Sequence, residues 1–241
     1  MLTYDHFTIE EATALQLIMR EQLVLKPLGK NITTIGGADI SYNKDSLKVF
    51  AGIVVLNYPE MTLRSYSLFE HETTFPFVHN YLGFREVPAL MLAWEQLKDK
   101  PDILVLDGQG ITHPRKLGVA THFGILNQIP TIGCAKSMMA AKPDIGLEKL
   151  STLPFYRNGE LLGHSLRTVN STARKVAVEP VYISAGNLIT PEESLEIMKK
   201  CVGNYRIPEP TRLAHEKVNL FRTGKLNAGF HSEDQNPWTL F

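Results

Sequence analysis

The run Asp102-Ile103-Leu104-Val105-Leu106-Asp107-Gly108-Gln109-Gly110 constrains the fold more than any other stretch. Four consecutive apolar residues, Ile103 to Leu106, leave no polar face, so they predict a strand covered on both sides. Such strands belong to sheets with helices on both faces. The run stops at a carboxylate, Asp107, followed by glycines that let a ligand approach the backbone closely. In α/β sheets ligands bind beyond the carboxyl ends of strands, and Asp107 falls there. A plain polar strand end with a Gly-rich turn would look the same in isolation. The neighbouring elements must decide.

Thr8 and Glu11 form a capping-box pattern. It predicts a helix to about Leu23, with Ala12, Leu15, Ile18 and Met19 at helical spacing. Strands are predicted over 31–42, 48–57 and 62–71, the first loosened by Gly36-Gly37 and carrying Asp39 near its end. Tyr58-Pro59-Glu60 reads as the hairpin turn between the second and third. Val87, Leu90, Met91, Trp94 and Leu97 give helical periodicity over 84–97. After the buried strand come a helix over 117–127 and a short strand over 131–135, ending at Lys136. Further strands are expected near 161–169 and 176–184, then a helix over 191–202. No linker or repeat divides the chain, so residues 1–228 read as one domain and 229–241 as a loose tail.

Lys and Arg number 25, as do Asp and Glu, so any nucleic-acid site must be a local patch on a neutral body. The two cysteines, Cys134 and Cys201, exclude a disulfide framework and paired thiolate metal ligands, and fit a reducing compartment. The first residues lack a signal-peptide core, and apolar runs such as 87–94 are too short to span a bilayer. The expectation is a soluble cytoplasmic monomer with no membrane partner.

A three-strand antiparallel meander continued by parallel strands and flanked by helices is the ribonuclease H-like mixed sheet. In that arrangement Asp39 on the first strand, Glu86 on the next helix and Asp107 on the fourth strand meet at one sheet edge. Asp39 alone reads better as a surface charge or a cap. Three acids on three converging elements do not. Clustered carboxylates repel one another unless a cation joins them. Magnesium suits such an oxygen shell and bridges carboxylates to phosphate, with manganese a possible substitute. The chemistry implied is metal-assisted attack of water on a phosphodiester.

Five blocks carry a likeness to a known family: 37–42 (Gly-Ala-Asp-Ile-Ser-Tyr), 83–90 (Gly-Phe-Arg-Glu-Val-Pro-Ala-Leu), 107–115 with its Asp-Gly-Gln-Gly and His-Pro-Arg, 133–137 (Gly-Cys-Ala-Lys-Ser), and 208–215 (Pro-Glu-Pro-Thr-Arg-Leu-Ala-His). In these the chain resembles the endonuclease V family of deoxyinosine-directed nucleases, from the first helix to about Phe221. The resemblance implies incision of DNA at the second phosphodiester 3′ to a deaminated purine, and some relatives act on inosine in RNA. It implies that Asp39, Glu86 and Asp107 are the metal-binding carboxylates and that His215 is a fourth catalytic residue. Lys136 would steady charge on the scissile phosphate. His113, Arg115, Lys136 and Arg212 would contact phosphates. Leu82, Gly108, Val119 and Gly133 would form the pocket for the extruded base.

Two departures stand out. The lesion wedge, usually Pro-Tyr-Ile-Pro, reads Pro76-Phe77-Val78-His79, which keeps a ring but loses a hydroxyl and a rigid proline. Asn187 stands where relatives tend to have a histidine and cannot take a proton. These leave open a lesion-binding adaptor that cuts poorly, a base-indifferent nuclease of the same fold, and a preference for inosine in RNA. The tail, Gln235-Asn236-Pro237-Trp238-Thr239-Leu240-Phe241, resembles the short peptides that dock repair proteins onto the replication sliding clamp.

Overall fold

The computed structural model describes residues 2–44, 46–138, 143–171 and 178–233. The tail peptide 235–241 lies outside them. Nine strands form one sheet, in the order β6-β7-β8-β5-β4-β1-β2-β3-β9. The meander is β1 (Thr34–Ser41), β2 (Lys48–Asn57) and β3 (Leu63–Glu72), antiparallel throughout. β4 (Ile103–Leu106) runs parallel to β1, and β5 (Thr131–Ala135) parallel to β4. The expected ribonuclease H-like arrangement is therefore present. Beyond β5 the sheet turns antiparallel again, through β8 (Val181–Asn187), β7 (Glu160–Leu166) and β6 (Thr152–Arg157).

Alternation along β2 divides the core in two. Val49, Ala51, Ile53 and Val55 face Val87, Leu90 and Trp94 of α2 (Leu82–Gln96) and Phe123 of α3 (Val119–Asn127). Val54 and Leu56 belong to the opposite layer, with Leu195 and Met198 of α4 (Pro191–Lys200) and Ala214 of α5 (Glu209–Arg222). α1 (Ile9–Arg20) packs beside α3 through Met19, Leu117 and Ile125. Its capping box forms as expected: Thr8 Oγ1 accepts from the Glu11 backbone N–H at 3.2 Å, and Thr8 N donates to Glu11 Oε2 at 2.8 Å.

The sequence reading missed three elements. β6 is a largely exposed edge strand whose short apolar run, Leu153, Phe155 and Tyr156, is interrupted by Pro154, although Asn158-Gly159 after it is a strong hairpin signal. α5 buries only small residues. β9 (Gly229–Ser232) pairs with β3 from Leu68↔Gly229 to Ser65↔Ser232, so the chain expected to be loose from 229 is held to the sheet edge as far as Ser232. The strand expected over 176–184 starts at Val181 and runs to Asn187, its first two expected residues lying outside the described residues.

Glycine on the sheet allows α5 to lie close. A Cβ at Gly37 would come 1.9 Å from the Pro210 carbonyl oxygen, and one at Gly52 3.0 Å from Val218 Cβ. This approach brings His215 over β1. Gly37→Val should push α5 off the sheet, costing about 1–3 kcal/mol in urea unfolding; unchanged stability would show that the close approach is dispensable.

Candidate active site

Backbone pairing assembles the acids. Ala38 sits opposite Leu106 in the parallel β1–β4 ladder, and Asp107 N donates to the Ala38 carbonyl at 3.1 Å. Asp39, still inside β1, and Asp107, the first residue beyond β4, therefore lie side by side, with their carboxyls close enough to interact directly. Glu86, on the second turn of α2, senses both. Burial, then the charges of Asp107 and Asp39, push the Glu86 carboxyl up to about 8, against the pull of Arg85. Asp107 is raised by burial and by Asp39, with Lys136 opposing. The trio holds more negative charge than its setting tolerates.

Two basic side chains answer it. Lys136 follows β5 directly, and its Nζ pairs with Asp107 Oδ2. Burial disfavours its charge, but the Asp107 and Asp39 carboxylates outweigh that and raise its pKa. His215 lies mid-way along α5, not at a helix end, and its Nδ1 is 2.7 Å from Asp39 Oδ2. That hydrogen bond raises the imidazole pKa against partial burial. With these partners engaged, no three Asp, Glu, His or Cys side chains among the described residues close around one point.

A cavity of about 500 Å³ opens beside the acids, a size suited to a small ligand or one nucleobase. Glu86, Asp107 and Lys136 line it, as do Leu82, Gly108 and Val119 of the expected base pocket. Gly108 has φ +147°, and a Cβ there would meet Val119 Cγ1 at 2.6 Å, so glycine is required twice over. Gly133 is not among the lining residues. It packs behind the wall, where a Cβ would come 2.4 Å from Gly110 N and 2.7 Å from the Gly108 carbonyl oxygen. Its lack of a side chain makes room for the loop rather than for a ligand.

The expected phosphate contacts are engaged within the protein. His113 is buried; its Nδ1 accepts from Arg115 N at 3.2 Å, which leaves Nε2 to donate to the Asn80 carbonyl at 2.9 Å. Burial lowers its pKa to about 4, so it is neutral at physiological pH. Arg115 donates to Gln16 Oε1 and to the Asn80 carbonyl, and lies over the Tyr81 ring at 4.7 Å. Both residues fix the segment that follows the wedge. Arg212 is paired with Glu209 at 2.6 Å and Glu216 at 3.1 Å. Of the four, His113 and Lys136 line the cavity, and Lys136 is the one paired with an acid of the trio.

The wedge residues Pro76, Phe77 and His79 are exposed and Val78 is partly so, with His79 on the cavity wall. Arg85 anchors the base of this loop, donating to the Phe75 carbonyl at 2.6 Å and the Ser46 carbonyl at 2.9 Å. Asn187 lies at the far end of β8, opposite Thr131 at the start of β5. It accepts from Val24 N and donates to the Gly124 carbonyl, a bridge between chain segments outside the site. Sequence reasoning assigned no role to Tyr42, Asn80, Gly83, Gln109, Leu117 or Ser137, all of which line the cavity.

A family model described as Endonuclease V matches residues 18–216. This chain belongs to the endonuclease V family. The endonuclease V of Myxococcus xanthus is 41% identical over 217 residues, 89% of this chain and 90% of that protein. That of Trichormus variabilis is 37% identical over 209 residues, 86% of this chain and 92% of that protein. The crystal structure of endonuclease V from Streptomyces avermitilis superposes with a TM-score of 0.82 at 31% identity, covering 90% of this chain and 94% of that one. Endonuclease V of Ciona intestinalis, crystallised with a 24mer DNA containing an inosine, gives 0.77 at 27% identity, covering 90% and 98%.

In this endonuclease V the raised carboxyl of Glu86 has a measurable sign. In the metal-free protein it holds a proton between its unfolded value, 4.5, and about 8, while the unfolded chain does not. Folding then binds a proton, so this residue's contribution falls as pH rises through that window. Thermal melts without metal should show Glu86→Gln gaining stability over the native chain between pH 5 and 8; a pH-independent difference would contradict the raised carboxyl.

Proposed function

We propose that this chain is a metal-dependent endonuclease that recognises deoxyinosine in DNA and hydrolyses the second phosphodiester 3′ to it. The observation that carries the reading is the convergence of Asp39, Glu86 and Asp107, the last two lining a cavity of nucleobase size. Family membership supports the activity, and the inosine-containing DNA bound by the Ciona relative supports the substrate.

The donor set fits a hard divalent ion. It is all carboxylate, and its mutual repulsion is what a cation relieves. Magnesium is the ion proposed, with manganese able to substitute, and Asp39, Glu86 and Asp107 would hold it. Bound there, a divalent ion supplies Lewis-acid stabilisation of phosphoryl charge. Lys136 presents its ammonium to the same cavity rim and offsets negative charge on the scissile group. His215 holds the proton released by the attacking water, its basicity raised by Asp39. Leu82, Gly108 and Val119 receive the flipped base, and Phe77 fills the gap it leaves. Two buried free cysteines support a reducing, cytoplasmic location.

On a duplex with one inosine, nicking with magnesium should exceed that of the matched undamaged duplex. Asp39→Asn and Asp107→Asn should each lower the single-turnover rate at least about 10³-fold, and Lys136→Met about 10²-fold. Equal cutting of both duplexes would overturn lesion recognition. Faster cutting of inosine in RNA would move the substrate to RNA. From sequence alone, 235–241 is proposed to dock on the sliding clamp. A chain ending at Asp234 should then lose clamp capture in a pull-down, and equal capture would refute it.

A further inference from the structure

Tyr42 has no part in the mechanism above, yet it stands between the acids and the wedge ring on the cavity wall. It follows β1 immediately, three residues after Asp39, so the strand that presents the acid also presents this ring. It lines the cavity with Glu86 and Asp107, and its phenol is close enough to Glu86 and Asp39 to feel both charges. On its other side it packs against Phe77, with ring centroids 5.7 Å apart and planes 60° apart. Tyr42 is 39% exposed and Phe77 59%.

A ring recruited only for packing would be covered. Here two aromatic faces stand open at the rim of an acidic cleft. Exposed rings along a polar groove suit an unpaired nucleic-acid strand, because every base has a π face to stack. The order of features along the cleft sets which nucleotide meets Tyr42. This step rests on the function proposed above. The flipped base fills the end lined by Leu82, Gly108 and Val119, and the acids take the second phosphate on its 3′ side. The nucleotide between these two points must pass the ring that borders both.

We propose that Tyr42 stacks on the base immediately 3′ to the lesion and thereby sets the scissile phosphate against the acids. The ring, not the hydroxyl, is the working part. Stacking tolerates any base, so the identity of that neighbour should matter little.

The test uses an inosine duplex with 2-aminopurine at the first position 3′ to the lesion, bound by the full chain with calcium in place of magnesium. In the native complex the probe is quenched by the ring. Tyr42→Ala should leave it at least about twofold brighter, weaken binding about tenfold and slow single-turnover cleavage with magnesium. Tyr42→Phe should match the native chain within about twofold in all three. Tyr42→Leu keeps apolar bulk against Phe77 but has no π face, and should follow Tyr42→Ala; its thermal melt checks folding. Unchanged fluorescence and affinity in Tyr42→Leu would overturn the proposal. So would a Tyr42→Phe defect as large as that of Tyr42→Ala, which would assign the role to the hydroxyl. If the native chain fails to nick inosine duplex, the function itself falls; if it nicks normally while Tyr42 variants are silent, only this assignment does.

Discussion

The pairing of β1 with β4 is the constraint from which the site follows. The ladder between these parallel neighbours ends at Ala38 and Leu106, which sets the next residue of each, Asp39 and Asp107, side by side. Such adjacency is electrostatically costly in a partly buried place. Three groups offset the cost: Lys136 pairs with Asp107, His215 hydrogen-bonds Asp39, and burial favours a protonated Glu86. Each of these groups comes from a different element, so the charge balance depends on the whole sheet being assembled. A divalent cation held by the three carboxylates would relieve the same repulsion.

The cavity depends on a second set of fixed contacts. His113, Arg115 and Gln16 hold the carbonyl of Asn80, and Arg85 holds that of Phe75, so the wedge loop is pinned at both ends. Behind the opposite wall, Arg157 of the β6–β7 hairpin donates to the carbonyls of Thr112, His113 and Pro114. Basic residues that look from their sequence like phosphate ligands are spent on holding loops. Their charges are therefore already partnered inside a chain whose acidic and basic residues balance.

The sequence made the sheet centre legible because its signals are local. A continuous apolar run marked β4, alternation and β-branching marked the meander, and Thr8 with Glu11 marked the start of α1. α5 was not legible, because its buried face is Thr211, Ala214 and Val218, small side chains whose burial depends on Gly37 and Gly52 of other strands. β6 was hidden because Pro154 interrupts its Leu153, Phe155 and Tyr156, as an edge strand allows, and Asn158-Gly159 was its clearest signal. Asp39, Glu86 and Asp107 were readable from the strands and helix predicted to carry them, and Lys136 from its place after β5 together with the family resemblance. The inward use of His113 and Arg115 was not, since their partners, Asn80 and Gln16, are distant in the chain. Gly133 shows a further limit: a glycine that admits a backbone loop looks the same in sequence as one that admits a ligand.

Asp39, Glu86 and Asp107 are proposed to form one cation site. Crystals soaked in manganese, measured at a wavelength where manganese scatters anomalously, test it most directly. The account predicts an anomalous peak with oxygens of all three carboxylates at roughly 2.2 Å, and the Lys136–Asp107 pair broken. A peak elsewhere, or no peak with that pair intact at saturating metal, would contradict it.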